Sequence, residues 1–155
     1  MPDFQDFELT GYPENTSEIF LTWRKAGVDA VFSPNQLSDG TIKFIALATL
    51  LLAPERVIPK IIVLDEPELG LHPMAIHILA NMVKQASENA QVILETQSSL
   101  LLDHFQPEDV IVADTKDGAT DLNRLNSEEL SEWLKNYSLS ELWDKNVLEG
   151  NHNNK

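Results

Sequence analysis

The run Lys60-Ile61-Ile62-Val63-Leu64-Asp65-Glu66-Pro67-Glu68-Leu69-Gly70-Leu71-His72-Pro73 decides how the rest of this 155-residue chain is read. Four consecutive apolar residues between Lys60 and Asp65 have the pattern of a strand buried on both faces, as inside a parallel sheet. Two adjacent carboxylates, Asp65 and Glu66, leave its carboxyl end, where open α/β sheets place their ligands. Acids at a strand end mean little by themselves. Beside a nucleotide, however, one can hold Mg²⁺ through oxygen while the next takes a proton from water.

Downstream, Pro73 suits the first turn of a helix, and Ala75, Ile78, Leu79, Met82, Val83 and Ala86 recur at helical spacing to cover a sheet. Gln91 to Thr96 and Val110 to Ala113 read as the next strands, so the strand, helix, strand order predicts a parallel α/β arrangement with right-handed crossovers. Upstream, Ser38-Asp39-Gly40 opens a helix that ends before Pro54. Ile42, Ile45, Ala46 and Thr49 fall on one of its faces and Leu47, Leu50, Leu51 and Leu52 on much of the rest, so the helix is expected to be largely buried. Phe7 to Leu9, Ile19 to Arg24 and Val28 to Phe32 alternate apolar with polar, which predicts a small antiparallel sheet at the amino terminus.

Toward the carboxyl end, Lys116-Asp117-Gly118 is a turn signal, followed by a short edge strand near Leu122 to Leu125. Ser127 is placed to cap a helix bearing Leu130, Trp133, Leu134 and Tyr137, with Glu128 and Glu129 in its first turn. Ser138 and Glu141 have capping-box spacing. One domain is expected over residues 1–150, with residues 151–155 a disordered tail.

With 11 basic and 25 acidic residues the formal charge is −14, which argues against this chain by itself wrapping a phosphate backbone. There are no cysteines, so disulfides and thiolate metal sites are excluded. The amino terminus is acidic, without the basic start and apolar stretch of a secretory signal, and no apolar run approaches a bilayer span. A soluble, cytoplasmic protein without a membrane partner is expected.

Three stretches, Leu37-Ser38-Asp39-Gly40-Thr41, Ile61 to Pro67 and Thr96-Gln97-Ser98, occur in an order and spacing that resembles the ABC-type ATPase head, in the RecF and SMC-like branch of predicted AAA-family ATPases. The first resembles the signature motif, the second the Walker B strand with its catalytic glutamate, and the third the switch position after the following strand. Direct resemblance runs from Pro34 to Asp114, and Tyr137 to Gly150 is also similar to some predicted ATPases. The implied fold is an α/β, P-loop NTPase-like parallel sheet with flanking helices, a small amino-terminal antiparallel segment and no P-loop strand.

The resemblance implies ATP and Mg²⁺ as ligands. Asp65 would sit in the Mg²⁺ shell and Glu66 would orient and deprotonate the attacking water. Ser38, Asp39 and Gly40, at the mouth of a helix with unpaired N–H groups, would face a phosphate. Gln97 stands where many relatives carry histidine, and its amide can contact a γ-phosphate or water without titrating. Glu68 to His72 resembles the loop that crosses a dimer interface, with His72 where transporter members usually have an acid. The implied mechanism is ATP-driven engagement of two heads, as a homodimer or heterodimer, with release on hydrolysis. Roles in DNA repair, recombination or phage defence follow from the relatives, with any DNA association indirect.

None of the six glycines precedes a lysine, so the P-loop, or Walker A, pattern is absent. The chain is therefore expected to be the carboxyl-terminal part of a head whose P-loop half lies on another polypeptide or upstream of a truncation. The alternative is a non-catalytic head that acts as an interaction or regulatory module. His72 and His77, five residues apart, do not share a helix face for metal binding, and both suit a surface or interface. Trp23, Trp133 and Trp143 have no basic groove beside them and suit core or interface rather than base stacking.

Overall fold

The computed structural model describes residues 4–12, 15–116 and 118–148. The expected tail lies outside these residues. Strands β1 (Phe4–Tyr12) and β2 (Asn15–Lys25) pair antiparallel, with Phe7 opposite Trp23 and Leu9 opposite Leu21. Strand β3 (Val31–Phe32) continues the sheet on β2. It is shorter than the alternation from Val28 predicts, because Gly27 turns at φ 77° and the Val28 N–H donates to the Lys25 carbonyl. The Trp23 ring stacks on Phe32 and its indole N–H donates to the Ser33 carbonyl at 3.2 Å, which gives this tryptophan a packing role.

Helix α1 (Asp39–Leu51) starts and stops where its sequence signals place it. Ser38 caps it by accepting the Thr41 N–H at 3.2 Å, and it ends ahead of Pro54. Strand β4 (Ile61–Asp65), helix α2 (Pro73–Ser87) and strand β5 (Gln91–Glu95) follow, with β4 and β5 parallel and Asp65 opposite Glu95. The main core is built from Leu47 and Leu51 of α1, Ile62 and Leu64 of β4, and Leu79, Met82, Val83 and Ala86 of α2. Pro73 occupies the first turn of α2 as predicted, and His72 is its N-cap, with Nδ1 accepting the Met74 N–H at 3.2 Å.

Burial of β4 on both faces is not what the structure has. Ile62 and Leu64 are buried, whereas Ile61 and Val63 are 60% and 69% exposed, and Ile93 on β5 is 49% exposed. Among the described residues the parallel sheet has two strands and its helices cover one face, so the other face of the apolar run meets solvent. The same correction applies to α1, where Ile42, Ala46 and Thr49 are exposed and burial falls on Leu47 and Leu51. On α2 Leu79, Met82, Val83 and Ala86 of the predicted face are buried, Ala75 is half-buried and Ile78 is exposed, while Ile76 and Ala80 pack with Leu101.

Beyond helix α3 (Ser99–Leu102), strand β6 (Ile111–Lys116) pairs antiparallel with β7 (Ala119–Arg124), so Val110 to Ala113 does not extend the parallel sheet. Only two residues separate the two strands in sequence, too few for the crossover that a parallel pair needs. Helices α4 (Ser131–Leu134) and α5 (Leu139–Asp144) close a second core of Val112, Leu125, Leu139, Leu142 and Leu148. Ser127 does not cap α4; its N–H donates to Glu108 at 2.9 Å and the helix starts four residues later. Leu130 and Leu134 pack on the second core as expected, but Trp133 is about half exposed. Ser138 and Glu141 do form the capping box of α5.

Candidate functional site

The parallel register that sets Asp65 beside Glu95 gathers carboxylates at the open end of β4 and β5. Both side chains are exposed. The Glu95 carboxyl is held above the ordinary glutamate range, first by a side-chain hydrogen bond with Asp65, then by slight desolvation and the charges of Asp65 and Glu66. Glu66 turns the chain sharply. Its φ of 41° lies in the left-handed region, which costs a non-glycine residue energy and persists only where neighbours fix it. They do so here. The Glu66 N–H donates to the Glu95 carbonyl at 3.1 Å, and the Glu66 carbonyl accepts the Leu69 N–H at 3.2 Å and Lys43 Nζ at 2.7 Å.

Lys43 brings α1 into the site, since its ammonium also reaches the Leu69 carbonyl at 3.3 Å. One turn earlier, Gly40 lies so near the following loop that an added Cβ would sit 2.3 Å from the Gly70 carbonyl oxygen. The close approach that Gly40 permits is thus to the chain's own backbone. Gly70 itself turns at φ 80°. Ser38 and Asp39 are exposed at the helix mouth, where Ser38 Oγ accepts the Thr41 N–H and donates to Thr41 Oγ1 at 2.9 Å.

The loop after β5 closes the third side. Thr96 Oγ1 donates to Glu68 Oε1 at 2.5 Å and accepts the Ser98 N–H at 2.9 Å, so both neighbours of exposed Gln97 are tied down. The other Glu68 oxygen, Oε2, is buried without a hydrogen-bond partner among the described residues.

Asp65, Glu66 and Gln97 therefore stand on neighbouring strand ends, with Ser38, Asp39 and Gly40 on a helix bonded to the same loop. Lys43 and Glu95 are site residues that sequence reasoning missed, and the motifs that contain Glu68 and Thr96 gave no sign of the bond between them. A signal existed for Lys43, the lone charge between Asp39 and Glu55 in an otherwise apolar helix. His77 and His104 meet elsewhere, rings 4.3 Å apart, where burial and then the charges of His77 and Lys84 hold His104 below the ordinary histidine range.

Among the described residues no three His, Cys, Asp or Glu side chains are arranged to hold a metal, whereas Mg²⁺ takes one or two carboxylates and fills its shell with water and phosphate oxygens. Exposed Asp65 at the end of β4 would be one such carboxylate. No helix among the described residues is long and apolar enough to cross a membrane.

A family model described as "AAA domain, putative AbiEii toxin, Type IV TA system" matches residues 3–103. The energy-coupling factor transporter ATP-binding protein EcfA2 of Ligilactobacillus salivarius (strain UCC118) is 34% identical over 110 residues, covering 70% of this chain and 36% of that protein. The chain thus spans little more than a third of that relative's length. Among solved structures, a chain from work on ATP-driven dimerization and DNA-stimulated activation of SMC ATPases superposes with a TM-score of 0.65 at 19% identity, covering 86% of this chain and 81% of the other. An Smc head bound to the C-winged helix domain of ScpA gives 0.66 at 21% identity, covering 83% of this chain and 39% of the other. An Smc head with an extended coiled coil, bound to the C-terminal domain of ScpA derived from Pyrococcus furiosus, gives 0.64 at 20%, covering 84% and 33%.

Proposed function

The chain belongs to the AAA-domain family described as putative AbiEii toxin, Type IV TA system, and from that premise we propose that it supplies the hydrolytic half of a composite ATP site. Its fold is that of an ABC/SMC-like ATPase head fragment. The observation that carries the proposal is the meeting of Asp65, Glu66 and the Gln97 loop at the carboxyl ends of two parallel strands whose apolar face, Ile61, Val63 and Ile93, is open. A P-loop-bearing segment, absent from these 155 residues, is the partner that would cover this face and hold the nucleotide.

In this mechanism Glu66 accepts a proton from water as its oxygen attacks the γ-phosphorus of ATP. The bond to the bridging oxygen breaks, and ADP and phosphate leave. Gln97 orients that water or the γ-phosphate through its amide. Asp65 would hold Mg²⁺, which when bound supplies charge neutralisation at the phosphates. Ser38, Asp39 and Gly40, together with the Glu68 to His72 loop, would serve the nucleotide of a second head, so that ATP joins two heads and hydrolysis parts them. A place in DNA repair, recombination or defence would follow from that cycle, with DNA reached through a partner.

A second function, that of a non-catalytic module binding another ATPase, is favoured by the lack of any Gly-Lys step in these residues. One experiment separates the two. The chain is combined with a P-loop-bearing segment and Mg²⁺-dependent phosphate release is measured for wild type and Glu66→Gln. Hydrolysis predicts that the variant loses at least about 100-fold in turnover while still binding ATP. Equal turnover in both would remove the role of Glu66, and no turnover in either would favour the module.

A further inference from the structure

The Thr96 hydroxyl is the joint between the two loops that carry the proposed chemistry. It donates to Glu68, two residues after Glu66, and accepts the N–H of Ser98, one residue after Gln97. Backbone on both sides of Gln97 is thereby fixed to the loop of Glu66, while the Gln97 amide stays exposed and able to work. Glu68 Oε1 and Thr96 Oγ1 are 2.5 Å apart.

A carboxylate is a costly way to make one bond. Its second oxygen, Oε2, is buried with no partner among the described residues, and a buried charged oxygen left unpaired is more expensive than an uncharged acceptor there. Stability alone would therefore favour a residue other than Glu68. What the carboxylate adds is stiffness: a charge-assisted bond is stronger than a neutral one and holds a loop to tighter tolerance. Tolerance matters at this place, since misplacing a catalytic group by about 1 Å can cost about 100-fold in rate.

We propose that Glu68 is a positioning residue, which acts through Thr96 to hold Gln97 in register with Glu66, a role that depends on the hydrolytic function proposed above. The test pairs disruptive with conservative variants in the full chain: Glu68→Ala and Thr96→Val against Glu68→Gln and Thr96→Ser. The glutamine keeps an acceptor at Oε1 and the serine keeps the hydroxyl. Two readouts are taken. Amide hydrogen exchange at Ser98 needs no nucleotide, and kcat and KM are measured with a P-loop-bearing segment present.

Glu68→Ala and Thr96→Val are expected to speed Ser98 exchange relative to the β4 and β5 amides and to lower kcat about 10-fold or more. KM should stay within about twofold, the signature of a contact that matters in the transition state. Thr96→Ser should restore both readouts, Glu68→Gln, which keeps the acceptor but not the charge, should restore only part of each, and the double variant should be no worse than the poorer single. A lowered thermal midpoint with Ser98 exchange and kcat per folded molecule unchanged would make Glu68 purely structural and overturn the proposal. Lack of turnover in the wild type would instead remove the hydrolytic function. Ser98 exchange would then still show whether Glu68 holds the loop.

Discussion

Position 40 shows how a single residue sets the geometry of the site. A methyl group there would press on the carbonyl oxygen and carbon of Gly70, at 2.3 and 3.3 Å, and backbone cannot swing aside as a flexible side chain does. Gly40→Ala is accordingly expected to cost about 1–3 kcal/mol, read as a lowered urea midpoint with an unchanged slope. The substitution also pushes α1 off the loop that Lys43 holds, so the Glu66 carbonyl loses its charged donor as well. Ser38-Asp39-Gly40 was legible in the sequence as a helix start. Its glycine was not legible as a contact, because Gly70 lies thirty residues away and only folding brings the two together.

Among the elements, α5 is joined to the end of α3 by one aspartate. Asp103 accepts the Ser140 N–H at 2.8 Å and the Ser140 hydroxyl at 2.6 Å. Burial pushes the Asp103 carboxyl up, but the bonds from Ser140 and the Ser138 hydroxyl outweigh it and hold the group below the ordinary aspartate range. A carboxyl with a lower pKa folded than unfolded stabilises the fold above its unfolded pKa. That contribution is lost as pH falls through the folded value. Asp103→Asn should therefore lower the thermal midpoint at pH 7, and the gap to wild type should close in acid, which a series of melts from pH 7 downward checks. The capping box at Ser138 is local and could be read from spacing. The bond from Asp103 joins residues 37 apart and could not.

For the molecule as a whole, the decisive feature is the open face of β4 and β5. Because Val63 already meets solvent, Val63→Glu should leave the thermal midpoint of the chain within a few degrees yet abolish co-purification with a P-loop-bearing segment. Undiminished co-purification of the folded variant would show that this face is not the docking surface. The acidic balance of −14 argues against this chain by itself wrapping a phosphate backbone. The sequence alone determined that β4 exists, that Asp65 and Glu66 stand at its end, and where α1, α2 and α5 begin, because periodicity, caps and prolines act within a few residues of themselves. Tertiary structure alone decided which face of β4 is covered, that β6 turns back on β7, and that Lys43, Glu68 and Thr96 converge on the acids. Burial and long-range hydrogen bonds depend on which neighbours are present, and a run of four apolar residues reads the same with one covered face as with two.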